Sequence, residues 1–153
     1  MLIISCESSV ESSDLVERNG IKYKINEKTP FSGRLETYHS NGQLKEGGNY
    51  KDGKEDGKWI LYYENGHIRS EGNYKDGELD GKWIYCRENG QIRKEVNIKD
   101  GKRDGEYTKY YKNGQISSEG NFKDGYKDGK WIHYNEDRSK QKEETYKDGK
   151  LIK

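Results

Sequence analysis

Three histidines, two cysteines and a recurring set of Asp-Gly steps are where chemistry would have to reside in this sequence. His39, His67 and His133 fall at three different positions of a 24-residue spacing that runs through the chain. They therefore neither stack nor converge, whereas a zinc-type site needs nitrogen and sulfur ligands at short fixed spacings. Cys6 and Cys86 form no paired motif. Cys86 occupies a slot that is tyrosine in the four other copies of the spacing, which makes it a packing residue rather than a nucleophile. Segments such as Asp52-Gly53-Lys54-Glu55-Asp56-Gly57 are dense in carboxylates. They lack the bidentate glutamate that closes a calcium loop at its twelfth position, and turn formation explains them. The 19 glycines form no phosphate-binding G-x-x-x-x-G-K-[ST] loop. The sequence thus predicts no catalytic residue, no metal ligand and no cofactor.

What these residues sit on is a repeat. Gly57 to Asp80 reads GKWILYYENGHIRSEGNYKDGELD, and the pattern returns from Gly33, Gly81, Gly105 and Gly129, giving five copies without insertion. A fixed period of this length marks an array of one supersecondary unit. Asn65-Gly66, Asn89-Gly90 and Asn113-Gly114 each divide two strand-like runs. Asp-Gly recurs at Asp52-Gly53, Asp76-Gly77, Asp100-Gly101, Asp124-Gly125 and Asp148-Gly149. Both dipeptides favour two-residue type I′ hairpin turns. Each unit then holds two strands and two reversals, and the predicted fold is all-β: a repetitive antiparallel β-hairpin meander in a single elongated twisted sheet.

Two-residue loops set an expected register. Tyr63 faces Ile68, Leu61 faces Ser70, Trp59 faces Gly72, and Trp83 stands opposite Ser70. Alternation across a strand then stacks Leu35, Trp59, Trp83, Tyr107 and Trp131 in a structural column. A second column holds Tyr50, Tyr74, Ile98, Phe122 and Tyr146, and a third, on the same face, holds Leu44, Ile68, Ile92 and Ile116. The other face carries Ile60, Ile84 and Ile132 and the tyrosines 38, 62, 110 and 134, among Arg69, Glu71, Arg93 and Glu95.

Composition argues against a thick core. Only 28% of residues are hydrophobic, 37% are charged and the mean hydropathy is −1.39. Such values usually accompany disorder, but 13 Tyr, 3 Trp and 2 Phe argue for cross-strand aromatic ladders. With 29 basic and 28 acidic residues the net charge of +1 gives no electrostatic reason to expect nucleic acid. No apolar run approaches the ~20 residues of a membrane-spanning helix.

The termini differ from the repeats. Ile3-Ile4-Ser5-Cys6 resembles the lipobox that ends a bacterial lipoprotein signal peptide. On that resemblance Cys6 is the lipidation site, and residues 1–14 are a truncated signal followed by a Ser/Glu tether. A basic region and a longer apolar region belong upstream of such a site, so the true start is expected to precede Met1. Residues 15–32, with a turn at Asn19-Gly20, are expected to be a capping hairpin. Residues 33–56, 57–80, 81–104, 105–128 and 129–153 are the five repeats. In the last copy Asp137-Arg138 replaces Asn-Gly and Glu144 replaces a glycine, and charge on a final strand blunts an open edge.

N-G-Q-[IL], then G-N-Y-K-D-G, then D-G-K-W, with the lead-in R-N-G-I-x-Y…P-F-S-G, resembles the MORN family (membrane occupation and recognition nexus), and most of all its bacterial variant repeat. The resemblance covers Leu15 to Lys150. It implies a stack of β-hairpins that mediates protein or lipid contacts and performs no catalysis. Some bacterial members are labelled antitoxin-like. The phosphoinositide-kinase label carried by others does not transfer, since no nucleotide-binding segment is present. The expected function is a non-enzymatic scaffold, lipid-anchored at the bacterial envelope, with a protein partner and no small-molecule substrate. A glycan- or cell-wall-binding surface is the alternative, because GKWIYC and GKWILYYENG faintly resemble choline-binding hairpin repeats. A soluble cytoplasmic antitoxin-like protein is preferred if Cys6 carries no lipid. Tyr63, Arg87 and Tyr111 take one slot beside the Asn-Gly turns, where the sheet meets water. That row is the candidate binding strip, against the plainer reading that it only caps the hairpin ends.

Overall fold

The computed structural model describes residues 9–153. Strands β1 (Leu15–Arg18) and β2 (Ile21–Lys24) form a small ribbon. The remaining strands are β3 (Gly33–Tyr38), β4 (Leu44–Lys51), β5 (Lys54–Tyr62), β6 (Ile68–Lys75), β7 (Glu78–Cys86), β8 (Ile92–Lys99), β9 (Lys102–Tyr110), β10 (Ile116–Lys123), β11 (Tyr126–Tyr134), β12 (Lys140–Lys147) and β13 (Lys150–Leu151). They make one open 11-stranded antiparallel sheet in which each strand pairs with its neighbours in the chain. This is the all-β hairpin meander that the period implies.

The two kinds of turn are built differently. Asp52 and Gly53 both have positive φ, at 50° and 78°, and Lys51 pairs with Lys54 across them. The other Asp-Gly steps repeat this geometry, which is the type I′ turn. Gly77 sits at φ 85°, and a Cβ there would meet only ordinary contacts. Gly77→Ala is therefore expected to cost the backbone penalty alone, about 1–2 kcal/mol, read as a shift in urea midpoint.

The Asn-Gly turns correct the sequence reading. Gly66 has φ 82°, but Asn65 is not among the positive-φ residues. Tyr63 O accepts from Gly66 N–H at 2.9 Å, and Tyr63 N–H donates to His67 O at 2.8 Å. The loop is thus three residues long, a type I turn closed by a left-handed glycine. Asn65 Oδ1 locks it by accepting from His67 N–H at 3.0 Å.

The extra loop residue moves the pairing by one, and a one-residue slip exchanges faces. Leu61 pairs with Ser70 as expected, but Tyr62, not Tyr63, pairs with Ile68 across a bulge. Direct cross-strand partners share a face. Leu44, Ile68, Ile92 and Ile116 therefore lie with Tyr38, Tyr62, Cys86 and Tyr110, on the face opposite the tryptophans.

A second bulge sets the core. Glu71 pairs with Ile84 and Asn73 with Asp80, so Gly72 alone faces Gly81, Lys82 and Trp83. Tyr85, not Trp83, is consequently the partner of Ser70. The two-residue displacement preserves the face, so the tryptophan column stands. What it changes is the bed of each indole. Trp59 does pair with Gly72, yet its ring lies over Gly48 of the preceding repeat, while Trp83 lies over Gly72 and Trp131 over Gly120. Each indole N–H reaches a carbonyl at the bulge: Trp59 to Asn49 O at 3.1 Å, Trp83 to Asn73 O at 3.0 Å, and Trp131 to Asn121 O at 3.1 Å.

The rings then pack edge to face. Tyr50–Trp59, Trp59–Tyr74 and Tyr74–Trp83 lie 5.5, 5.7 and 5.3 Å apart, and Phe122–Trp131 is 5.1 Å apart. Such geometry suits the ring quadrupoles. Repeat 81–104 interrupts the ladder with Val96 and Ile98, both buried. Trp83 is nevertheless only 2% exposed, in a sheet one layer thick.

The β3 edge of the sheet is covered within the chain. Val10 N–H donates to Arg34 O at 2.9 Å and Val10 O accepts from Glu36 N–H at 3.0 Å, so the segment before β1 runs along the outer edge of β3. The β1–β2 ribbon joins the first Asp-Gly turn, with Lys22 N–H donating to Gly53 O at 2.9 Å. At the other end Glu144 fills the slot where earlier copies need glycine beneath an indole. Lys142 Nζ donates to it at 2.8 Å and Tyr146 Oη at 3.1 Å. These donors, Lys142 first, hold the Glu144 carboxyl down at about 2. Lys140 and Lys130 do the same for Glu143, also at about 2. A depressed carboxyl contributes stability that is present above its unfolded value and lost as pH falls through its folded one. Acidification from about pH 4.5 towards pH 2 is thus expected to loosen β12 first, seen as amide exchange rising there before it rises in β5–β8.

Candidate interaction surfaces

The predicted strip falls outside the strands, on the residue just before each three-residue Asn-Gly loop. Tyr63 Oη donates to Cys86 O at 2.9 Å, Arg87 Nη2 to Tyr110 O at 2.7 Å, and Tyr111 Oη to Tyr134 O at 2.7 Å. All three groups are half-buried. A fourth member, which the sequence reading did not include, is His39, whose Nε2 lies 3.0 Å from Tyr62 O. Each side chain spans to the carbonyl of the next hairpin on the same edge. Asn41 and Asn65 add a parallel set of links, donating to Glu64 O at 2.8 Å and Glu88 O at 2.7 Å. The strip residues thus tie consecutive repeats together. Tyr63→Phe is expected to lose about 1 kcal/mol of stability, measured by urea denaturation.

The Asp-Gly edge has its own ladder, made by the backbone. Gly77 N–H donates to Glu55 O at 2.9 Å, Gly125 N–H to Arg103 O at 2.8 Å and Gly149 N–H to Lys127 O at 3.0 Å. Gly53 N–H joins the series through Phe31 O at 2.7 Å. Both rims of the sheet are therefore occupied with holding neighbouring units in register.

The remaining candidate groups are dispersed. His67 Nδ1 contacts Glu88 O at 2.6 Å, and His133 Nε2 contacts Glu144 at 3.1 Å. Cys86 is buried in its tyrosine slot, and that burial pushes its thiol up, further from the reactive thiolate. Among the described residues no group of three or more His, Cys, Asp or Glu side chains is placed to hold a metal ion. Cys6, the expected lipidation site, lies outside the described residues.

The two faces of the sheet differ in how their charges are disposed. On the face opposite the indoles three of the four glutamates of the central row have a lysine across the strand pair. Lys58–Glu71, Lys82–Glu95 and Lys130–Glu143 are each 3.0 Å apart. In repeat 105–128 Glu106 stands where the lysine would be, and Glu119 instead accepts from Tyr134 Oη at 2.6 Å.

The indole face is different. Glu46 and Glu55 lie in its first half, on β4 and β5. Lys94, Arg103, Lys109 and Lys127 lie in its second half, on β8, β9 and β11. None of these six forms a salt bridge among the described residues. Three of the four cations sit on rings instead: Lys94 Nζ is 4.1 Å from the Tyr85 centroid, Arg103 Cζ 5.2 Å from Phe122, and Lys127 Nζ 4.3 Å from Trp131. Burial, and then repulsion from Arg103 and Arg93, pulls the Lys94 ammonium below its ordinary value. The face is acidic at one end and basic at the other, a property that the near-zero net charge conceals.

An open meander of equal hairpins latched along both rims is the architecture of a repeat scaffold. Residues 32–52, 55–76 and 103–124 match the family model described as the MORN repeat variant, so the chain is a MORN-variant repeat protein. Residues 81–102 and 129–150 continue the same hairpins between and after the matched segments. MORN repeats generally serve as non-enzymatic scaffolds. No curated protein matches the chain.

Proposed function

We propose that this protein is a non-enzymatic scaffold that docks another macromolecule on its indole face. The observation that carries the reading is the segregation of charge on the indole face. Both rims are spent on inter-repeat hydrogen bonds, while the indole face holds six charged groups without salt bridges among the described residues, acidic in its first half and basic in its second. Charges that are unmatched within a surface are what a complementary partner matches, and they steer association more than they stabilise the fold. Attachment at the envelope through Cys6 is part of the proposal and rests on the sequence of residues 3–6.

The test is a photo-crosslinking amino acid at Leu79 on the indole face, with Lys82 on the opposite face as control, in cells making the full gene product. Adducts from Leu79 and not from Lys82 are expected. Adducts from neither position, or from Lys82 alone, would overturn the reading. The anchoring component has a separate test. The full gene product is expected to partition into detergent and to incorporate labelled palmitate, and Cys6→Ser to abolish both. Equal labelling of the two proteins removes the anchor at Cys6.

A further inference from the structure

The order of the unpaired charges along the indole face selects its partner. We infer that the face binds a second copy of this chain, turned end for end, with a two-fold axis parallel to the strands and passing over β7. The inference rests on the scaffold reading above and narrows the docked macromolecule to the protein itself.

The register fixes what would meet what. On the side of the Asp-Gly turns, one row of the indole face runs Glu55, Leu79, Arg103, since these residues pair with Tyr50, Tyr74 and Ile98 respectively. A two-fold axis over β7 places β5 of one copy against β9 of the other. Glu55 then meets the partner copy's Arg103, Arg103 meets the partner copy's Glu55, and Leu79 meets its own counterpart. On the side of the Asn-Gly turns the row is Leu61, Tyr85, Lys109. There Tyr85 meets itself and the aliphatic stem of Lys109 lies over Leu61. At the same level along the strands Lys94 faces Ser70, and Glu46 faces Ser118. Among Glu46, Glu55, Lys94, Arg103 and Lys109 no charge in this arrangement meets one of its own sign, and Lys127 falls toward the partner copy's Phe31, where Lys24 lies 5.9 Å from the ring centroid and is the one like charge approached.

The two members of the ion pair cannot satisfy each other within one chain. Four strand spacings separate β5 from β9, about 19 Å, while two sheets packed face to face lie only about 10 Å apart. The alternative two-fold axis, perpendicular to the strands and in the plane between the sheets, would lay the acidic half over the acidic half and set Arg103 against the partner copy's Lys109. A homodimeric contact is isologous, so each complementary pair occurs twice. Glu55 and Leu79 are half-buried and Arg103 is exposed, so the row stands clear of the packed indoles beneath it.

Sedimentation of the full purified chain over a range of concentration and salt tests this. The wild type is expected to be a dimer at low ionic strength and to dissociate as salt rises, because exposed charges are screened. Arg103→Glu and Glu55→Arg should each weaken self-association by about tenfold or more, since each reversal sets two like-charged pairs face to face. Circular dichroism shows whether each variant keeps its sheet. Mixing the two single variants is expected to restore a dimer. The native Glu55 of the first then meets the native Arg103 of the second, and the two introduced side chains, opposite in sign, meet each other at the symmetry-related position. The double variant should dimerise alone. A wild type that stays monomeric throughout overturns the inference, and crosslinks from Leu79 to a different macromolecule would then leave the scaffold reading intact. A dimer indifferent to either reversal, or single variants that fail to pair when mixed, also overturns it.

Discussion

Trp83→Ala is expected to destabilise the protein by about 3–5 kcal/mol, the range for truncating a large buried aromatic. Three features of the site put it at the upper end. Trp83 is 2% exposed, so nearly all of its surface is recovered from water on folding. The residues beneath and beside it, Gly72 and Gly81, have no side chains with which to fill the void. Its N–H also satisfies Asn73 O at 3.0 Å, an acceptor at the bulge. Truncation opens a cavity, strands that acceptor and removes the edge-to-face contact with Tyr74 at 5.3 Å. The measurement is equilibrium denaturation followed by circular dichroism. Trp83 belongs to the middle repeat of five, and stability in such arrays passes through nearest-neighbour interfaces. The variant is therefore also expected to broaden the transition, as the halves on either side begin to unfold separately. A change under about 0.5 kcal/mol, the scale of an ordinary surface substitution, would contradict the packed column.

The legible part of this fold is the part set by period. Twenty-four residues with two turn signals can only alternate strands and reversals, and parity along each strand places Trp59, Trp83 and Trp131 on one side. The illegible part turns on loop length. Asn-Gly and Asp-Gly look equivalent, and both are compatible with a type I′ turn. Here Asp52 adopts positive φ while Asn65 instead uses its side chain to bind His67 N–H. That one-residue difference sends Ile68 to the other face and takes Tyr63 out of the strand. The bulge at Gly81 and Lys82 is hidden for a related reason. Its two extra residues leave the alternation of faces unchanged, so no pattern of apolar residues records it. The strip of Tyr63, Arg87 and Tyr111 was visible as a row, yet its hydrogen bonds reach backbone carbonyls, which carry no residue identity. The segregation of charge on the indole face could have been read from residues 46, 55, 94, 103, 109 and 127 once the faces were assigned. Counting charges over the whole chain erased it.

The glycine under each indole is the position at which a small addition should do the most harm. Gly72→Val is expected to cost about 3 kcal/mol, at the upper end for overpacking. A Cβ at Gly72 would lie 2.3 Å from Trp83 Cδ2 and 2.4 Å from Cε2, and the ring is held by its hydrogen bond and its buried neighbours. The protein contains the compensated version of this change. In repeat 81–104 the same slot is Val96, buried, and the residue that follows in the indole position is Tyr107. Val96 pairs directly with Tyr107, whereas Gly72 stands at a bulge opposite Trp83. The smaller ring leans away onto Phe122 and Trp131, at 5.5 and 5.4 Å. Trp83→Tyr in the wild-type background should itself destabilise, because the phenol leaves Gly72 uncovered. Combined with Gly72→Val it should recover part of the loss, with a coupling energy of about 1–2 kcal/mol in a double-mutant cycle. Strictly additive losses would mean that valine and tyrosine in repeats 81–104 and 105–128 are independent substitutions, and that the indole rests on something other than the glycine.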